Sequence, residues 1–192
     1  MTLFVLILLA LAVSADAFAA SLAKGVRPGA SRLGYALWVG LTFGVLEALM
    51  PLVGWAFGQT LRPLLGANGH WVAFALLLAA GVHLALTALK DLARPPAPVV
   101  SPPPPNVKTG ALVLGAVGAS LDGAAVGLSL AFTTADIVTA CLLFGAVTFV
   151  VSVIGVLMGG QAKAKLGDAV ELVGGLLLLG AAGLVLVGAL GA

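Results

Sequence analysis

The sequence predicts an all-α, polytopic membrane protein whose six transmembrane helices form two inverted three-helix repeats. Three observations predict it: an apolar composition, six long apolar runs and an internal repeat. Of the 192 residues, 61% are hydrophobic and only 8% are charged, whereas soluble domains carry about 25% charged residues. This composition cannot cover a globular surface with polar groups, so the expected solvent of the chain is lipid.

Six apolar runs are long enough to cross a bilayer as helices, which takes about 20 residues. The predicted helices are 2–23, 33–58, 70–89, 109–131, 137–160 and 168–190. The first run could instead be a secretory signal that ends near Ala15 to Ala17. No Lys or Arg precedes it, however, and its apolar stretch continues to Ala23. A spanning helix is therefore the favoured interpretation.

A proline-rich stretch, 93–108, separates the third and fourth runs and holds seven of the ten prolines. It predicts an extended spacer of the polyproline type, with a docking motif for a partner domain as the alternative. The chain thus divides into a first three-helix unit (1–92), a linker (93–108) and a second three-helix unit (109–192).

The positions of the basic residues predict the orientation in the membrane. Eight of the nine Lys and Arg follow the first, third and fifth helices, and only Arg62 lies on the other side. Cytoplasmic loops are the ones enriched in Lys and Arg. We therefore expect those eight residues in the cytoplasm and both termini outside.

The composition also narrows the classes of function. A net charge of +2 is too small to indicate nucleic-acid binding, and a single cysteine, Cys141, excludes a disulfide framework and a cysteine metal cluster. The sequence has no G-x-x-x-x-G-K-[ST] motif and therefore no P-loop of its own. No nucleophile–base pair is recognisable, so neither an enzyme nor a bound cofactor is predicted.

The internal repeat appears in two pairs of segments. VSADAFAAS (13–21) and ASLDGAAVG (119–127) share a Ser, an Asp and an Ala, and 43–58 aligns without gaps to 144–159. The second alignment matches Phe43/Phe144, Gly44/Gly145, Gly54/Gly155 and Gly58/Gly159. Units with an odd number of helices lie in opposite senses in the membrane, a recurring transporter plan. The third helices align only weakly, and chance similarity between Gly- and Leu-rich helices is the alternative.

Glu47 is the most informative residue of the predicted second helix. It shares one helical stripe with four glycines and a proline: Gly40, Gly44, Pro51, Gly54 and Gly58. Small residues let a neighbouring helix approach closely, so we expect Glu47 to face the protein interior. In the second copy, Thr148 and Ser152 replace Glu47 and Pro51.

Asp16 and Asp122 also lie on small-residue faces of their helices. Each is about fourteen residues from the start of its helix. At a rise of about 1.5 Å per residue, this position places both near the bilayer midplane, at the same depth as Glu47. An ionised acid at that depth costs at least about 2.5 kcal/mol, and three acids repel one another. A divalent cation would relieve this repulsion, and oxygen ligands suit Mg²⁺, Ca²⁺ and Mn²⁺ alike. The structural alternative is protonated acids bonded to backbone carbonyls.

Six further side chains are secondary candidates as ligands or gating groups: Ser14, Ser120, Thr148, Ser152, His83 and Glu171. Each has a structural alternative. Serine and threonine in membrane helices usually bond their own backbone, a lone histidine is more often a packing residue, and an acid near a helix start is stabilised by the helix dipole.

Four motifs together resemble the MntP family of bacterial manganese exporters: S-x-D-A-F-A-A-S, Lys24-Gly25, F-G-x-x-E-x-x-x-P-x-x-G-W and S-L-D-x-x-A-V-G. The resemblance covers nearly the whole chain outside the linker. It implies a six-helix protein of the bacterial inner membrane that expels Mn²⁺ from the cytoplasm. It also implies that Asp16, Glu47 and Asp122 handle the metal, which is a transported substrate.

We therefore predict Mn²⁺ export by cation/proton antiport with alternating access between the two units. Protons are the simplest coupling ion because acids that hold a metal can also carry protons. Two alternatives stay open. One is export of another small cation or an amino acid, and the other is a membrane scaffold whose acids pair with a partner helix.

Overall fold

A computed structural model describes residues 3–25, 32–65, 68–93, 110, 120–159 and 164–190. The described part of the chain contains α-helices and short connections and no strand. The helices are α1 (Leu3–Lys24), α2 (Arg32–Leu65), α3 (Gly69–Ala93), α4 (Leu121–Leu130), α5 (Ile137–Met158) and α6 (Ala164–Leu190).

Five of the described helices, all except α4, are long and apolar enough to cross a membrane by length and composition. The described α4 has ten residues. Most of the first half of the predicted fourth helix, and the linker apart from Ala93, lie outside the described residues. The prediction of an all-α, polytopic membrane protein is confirmed.

The helix α2 is longer than predicted, because it continues past Gly58 to Leu65 and includes both Pro51 and Pro63. Its 34 residues correspond to about 51 Å at about 1.5 Å per residue, whereas the hydrocarbon core is about 30 Å thick. A hydropathy window locates the apolar part of a helix and does not detect a more polar extension. The same reason explains why α6 begins at Ala164 and not at 168.

The helices approach one another at glycines. The helices α2 and α5 cross where a methyl group on Gly44 would lie 2.8 Å from the Gly145 carbonyl oxygen, and one on Gly145 would lie 2.9 Å from the Gly44 carbonyl oxygen. Real side-chain atoms do not come that close, so neither position has room for a side chain. The contact is reciprocal and joins two residues that the sequence alignment pairs.

Two other interfaces, α1–α5 and α2–α4, share two corresponding glycine contacts. Gly155 packs on the carbonyl of Phe18, and Gly54 packs on the carbonyl of Ala124; one helical turn further, Gly159 packs on Leu22 and Gly58 on Leu128. The residues of each matching pair are equivalent in the sequence alignment. We call these interfaces the α1–α5 seam and the α2–α4 seam.

The third pair of helices, α3 and α6, also makes reciprocal contacts. A methyl group on Gly81 would lie 3.0 Å from the Gly175 carbonyl oxygen and 3.0 Å from Leu179, and one on Gly175 would lie 2.6 Å from the Ala85 backbone nitrogen. These contacts place Gly81 opposite Gly175, a register that the weak sequence similarity of these two helices left open.

The surface of the described helices is rich in large apolar side chains, such as Phe57, Leu142 and Val187. Among the described residues, in contrast, the interior holds seven polar or charged side chains of which at most 1% is exposed: Ser14, Ser21, Glu47, Ser120, Ser129, Thr148 and Ser152. Apolar groups outside and polar groups inside are the distribution expected when the solvent is lipid.

Candidate cation site

The centre of the site is the carboxylate of Glu47, which α2 places against α4. Only 1% of Glu47 is exposed, and neither of its carboxylate oxygens has a hydrogen-bond partner. A side chain at Gly123 would overlap Glu47 Oε1 and would lie 3.6 Å from Val13. The absence of a side chain at Gly123 therefore makes the space that the Glu47 carboxylate occupies, directly beside Asp122.

The aspartates Asp16 and Asp122 have the same local geometry on α1 and α4. Ala17 N–H donates to Asp16 Oδ1 at 2.6 Å, and Gly123 N–H donates to Asp122 Oδ1 at 2.8 Å. In Asp122 the second oxygen, Oδ2, is buried and has no hydrogen-bond partner. One oxygen thus orients each carboxylate, and in Asp122 the other oxygen is free to bind a ligand.

The charges that act on Asp16 within the described part of the chain are all negative. They belong to Asp122, Glu47 and, more weakly, Glu171. Glu47 in turn is repelled by Asp122. Like charges in a poorly hydrated interior destabilise one another, so this arrangement favours a bound cation.

The described residues nevertheless contain no group of three or more His, Cys, Asp or Glu side chains placed to hold one metal ion together. The three predicted ligands are thus close enough to repel one another without converging on a single point in this conformation. Simultaneous ligation by Asp16, Glu47 and Asp122 stays a prediction, and it requires these side chains to move closer together or water to complete the coordination.

The buried hydroxyls divide into two groups. Ser14 Oγ donates to the Leu11 carbonyl at 3.0 Å, which is the structural alternative for a membrane-helix serine. Ser120, Thr148 and Ser152 are fully buried, and their hydroxyls have no hydrogen-bond partner. The side chain of Ser120 lies beside Glu47, although the two groups do not reach hydrogen-bond geometry. Three of the four hydroxyl candidates therefore retain free oxygens.

Sequence reasoning missed Ser21, whose hydroxyl is fully buried and also lacks a partner. A signal was present, because Ser21 closes the repeated segment that begins at Val13. It was overlooked because the position equivalent to Ser21 in the second copy is Gly127, so the pattern shows no shared chemistry there.

The remaining two candidates lie in different surroundings. His83 is exposed on the surface of α3, and the structure does not bring it to the acids. Glu171 is half-buried on α6, and its charge acts on Asp16. One turn further along α6, Gly174 packs on α1. A methyl group on Gly174 would lie 2.8 Å from the Ala12 carbonyl oxygen. Because α6 begins earlier than predicted, Glu171 lies two turns inside the helix and not at its start.

Residues 30–186 match a family model described as "Putative manganese efflux pump". The chain is similar to a protein of Rhodospirillum rubrum named "Putative manganese efflux pump MntP", with 42% identity over 184 residues that cover 94% of both chains. Proteins with the same name from Methylobacillus flagellatus (38% over 180 residues, 94% of this chain and 93% of the other) and Xylella fastidiosa (35% over 174 residues, 91% and 90%) are also similar. No solved structure matches the chain.

Proposed function

The chain belongs to the MntP family, and on that premise we propose that it exports Mn²⁺ from the cytoplasm across the bacterial inner membrane. The carboxylates of Asp16, Glu47 and Asp122 are the metal ligands in this proposal. The relatives' names supply the direction and the metal, while the buried acids supply a chemically suitable site. Carboxylate oxygens suit Mn²⁺.

The observation that carries the proposal is the environment of Glu47. A carboxylate that is 1% exposed, has no hydrogen-bond partner and lies beside a second acid is strongly unfavourable as an empty anionic site. A dication that binds between Glu47 and Asp122 would supply the missing electrostatic partner. A packing role alone would be better served by an apolar side chain of similar volume.

The transport step in our proposal is a movement of two inverted three-helix units about the central acids. The reciprocal contact of Gly44 with Gly145, and the paired contacts of Gly81 with Leu179 and of Gly175 with Ala85, support it, because an approximate two-fold axis between the two units would produce both sets. An axis of this kind exchanges the α1–α5 seam with the α2–α4 seam. Opening each seam in turn would expose the acids first to one side of the membrane and then to the other.

Export needs a source of energy because the cytoplasm is electrically negative. Moving two charges outward costs about 4.6 kcal/mol at a potential of about 100 mV. Inward proton movement would supply this energy, since acids that release Mn²⁺ outside can bind protons there and return them to the cytoplasm. With both termini outside, the α1–α5 seam, which ends at Lys24 and Gly159, lies on the cytoplasmic side.

The test is Mn²⁺ transport by purified protein in proteoliposomes, with and without an imposed pH gradient. Wild-type protein should move Mn²⁺ against its gradient only when protons can move the other way. The variants E47Q, D122N and D16N should lose transport while still inserting. The control is D136N, because Asp136 is an exposed acid outside the site that caps α5 through Thr139.

Two outcomes would contradict the proposal. Mn²⁺ transport that is unaffected by collapse of the proton gradient would remove the antiport mechanism. No Mn²⁺ flux from purified protein would remove the transport function. If Mn²⁺ moves but an amino acid or another small cation competes with it, a different substrate is indicated; retained function of D16N in the presence of a partner helix would indicate a scaffold.

A further inference from the structure

Four buried hydroxyls in the described structure lack the hydrogen bond that other hydroxyls of this chain make. Ser129 donates to the Val126 carbonyl at 2.6 Å, Thr42 to that of Trp38 at 2.9 Å and Thr60 to that of Phe57 at 2.7 Å. The exceptions are Ser120, Ser21, Thr148 and Ser152. Ser120 is beside Glu47, so its place in the acidic site is clear, while the other three need a separate explanation.

These three residues lie along the α1–α5 seam. A methyl group on Gly155 would lie 2.9 Å from Ser21 Cβ and 3.0 Å from the Phe18 carbonyl oxygen. Ser152 precedes Gly155 by about one helical turn, and Thr148 precedes Ser152 by another, so both share the buried face of α5 that packs on α1. All three side chains are fully buried, so they lie inside the helix packing and not toward lipid.

The matching α2–α4 seam locates the pair Ser21 and Ser152 more closely. There, Gly127 packs directly on the backbone of Pro51. The shared register of the two seams makes Ser21 the counterpart of Gly127 and Ser152 the counterpart of Pro51. By this register, the α1–α5 seam has two residues with hydroxyls, Ser21 and Ser152, at the positions where the α2–α4 seam has a glycine and a proline, and these hydroxyls do not bond each other.

The two seams therefore differ in chemistry while sharing their backbone contacts. In the α2–α4 seam, the position equivalent to Thr148 is the Glu47 carboxylate, and no side-chain oxygen follows it at Pro51 or Gly127. In the α1–α5 seam, Thr148 is followed by further neutral oxygens. Buried oxygens without a protein partner usually bind water or an ion.

We propose that Ser21, Thr148 and Ser152 form a second, uncharged oxygen subsite that receives the partly hydrated divalent cation from the cytoplasm before Asp16 and Glu47 bind it. This inference rests on the proposed function and on the orientation given there. Along α1, Ser21 lies between Asp16 and the cytoplasmic end at Lys24, about 7.5 Å from Asp16 at about 1.5 Å per residue.

Neutral oxygens suit this role for a physical reason. Hydroxyls can replace some of the water around a hard cation without the strong attraction of a carboxylate. Conduction and transport both require sites that bind an ion strongly enough to admit it and weakly enough to pass it on. A neutral subsite next to the acids therefore binds the cation more weakly than the carboxylates do, so the affinity for the cation increases from the cytoplasm to the carboxylates.

The first test measures Mn²⁺ transport into inside-out vesicles, whose outer surface is the cytoplasmic face. We expect S21A, T148V and S152A each to raise KM for Mn²⁺ about three- to tenfold with little change in maximal rate, which is the scale of one lost neutral contact. S129A is the matched control, since its buried hydroxyl already bonds its own helix. Unchanged KM in all three subsite variants would overturn the proposal.

The second test has a readout other than transport. Cys141 is the only cysteine, so S152C in a C141S background carries a single thiol. A membrane-impermeant maleimide should label it from the cytoplasmic face, and Mn²⁺ should slow the labelling. No labelling, labelling only from the outer face, or labelling indifferent to Mn²⁺ would overturn the subsite. If the C141S protein transports no Mn²⁺ but Mn²⁺ still slows the labelling of S152C, the result contradicts the transport proposal and supports the subsite.

Discussion

The closest packing in the acidic site predicts that a single added methyl group at Gly123 will disable it. A methyl group there would overlap Glu47 Oε1, so G123A must displace a carboxylate that is fully buried. The substitution changes neither the charge nor the hydrogen-bonding groups of the chain. Any loss of metal binding would therefore result from a displaced Glu47 carboxylate and not from the removal of a charge or a hydrogen-bonding group.

The expected magnitude follows from the cost of overfilling a packed interior, which is about 1–3 kcal/mol. If that strain is relieved by moving Glu47 out of its ligating position, Mn²⁺ affinity should fall about 5- to 150-fold, since about 1.4 kcal/mol corresponds to a factor of ten. The measurement is Mn²⁺ binding to purified protein by titration calorimetry, together with transport in proteoliposomes.

Two variants make this prediction decisive. G180A is the matched control, because a methyl group on Gly180 would have nothing within 4 Å, and it should bind Mn²⁺ like wild type. The double variant G123A/E47D should recover part of the lost affinity, since aspartate is one methylene shorter and withdraws from the added methyl group. Wild-type binding by G123A would refute the assignment of Glu47 as a ligand in the position described here.

Three further predictions concern other parts of the structure. E171Q removes a negative charge that acts on Asp16 more weakly than Asp122 and Glu47 do, so Mn²⁺ affinity measured by calorimetry should fall by less than about tenfold. A larger loss would make Glu171 a direct ligand. Burial lowers the pKa of Lys24, so the unfolded chain holds that proton to higher pH than the folded protein. Thermal stability should therefore increase as the pH rises through the lowered value towards the ordinary lysine pKa of about 10.4, and K24Q should abolish this increase. G145V should lower the yield of folded protein, because Gly145 contacts the Gly44 carbonyl, whereas G183V should not, since Gly183 has nothing within 4 Å; equal yields would refute the α2–α5 crossing.

Much of the fold was predictable because it depends on local properties. Composition determines that the chain is solvated by lipid, and apolar runs of sufficient length determine where helices form. Helical periodicity placed Glu47 on a stripe of glycines, and the structure buries that stripe against α4 and α5 as expected. None of these inferences needs information about which helices are neighbours.

Three features of the structure were left open by the sequence or differ from what it predicted. The register of α3 against α6 is decided by the close contact of Gly81 with Gly175, and no firm sequence alignment leads to it. The exposure of His83 is decided by which face of α3 packs on α6. The extension of α2 to Leu65 lies beyond the apolar window that sequence reasoning used.

The sequence by itself determined the class of protein, the spanning segments in outline, and the three acids most worth attention. Only the tertiary structure decided which oxygens have partners: Ser14 bonds its own helix, whereas Ser21, Thr148 and Ser152 do not. It also decided that the acids repel one another without closing on one point. The physical reason is that helix formation is satisfied within one segment of chain, while the partners of a buried side chain come from helices distant in sequence.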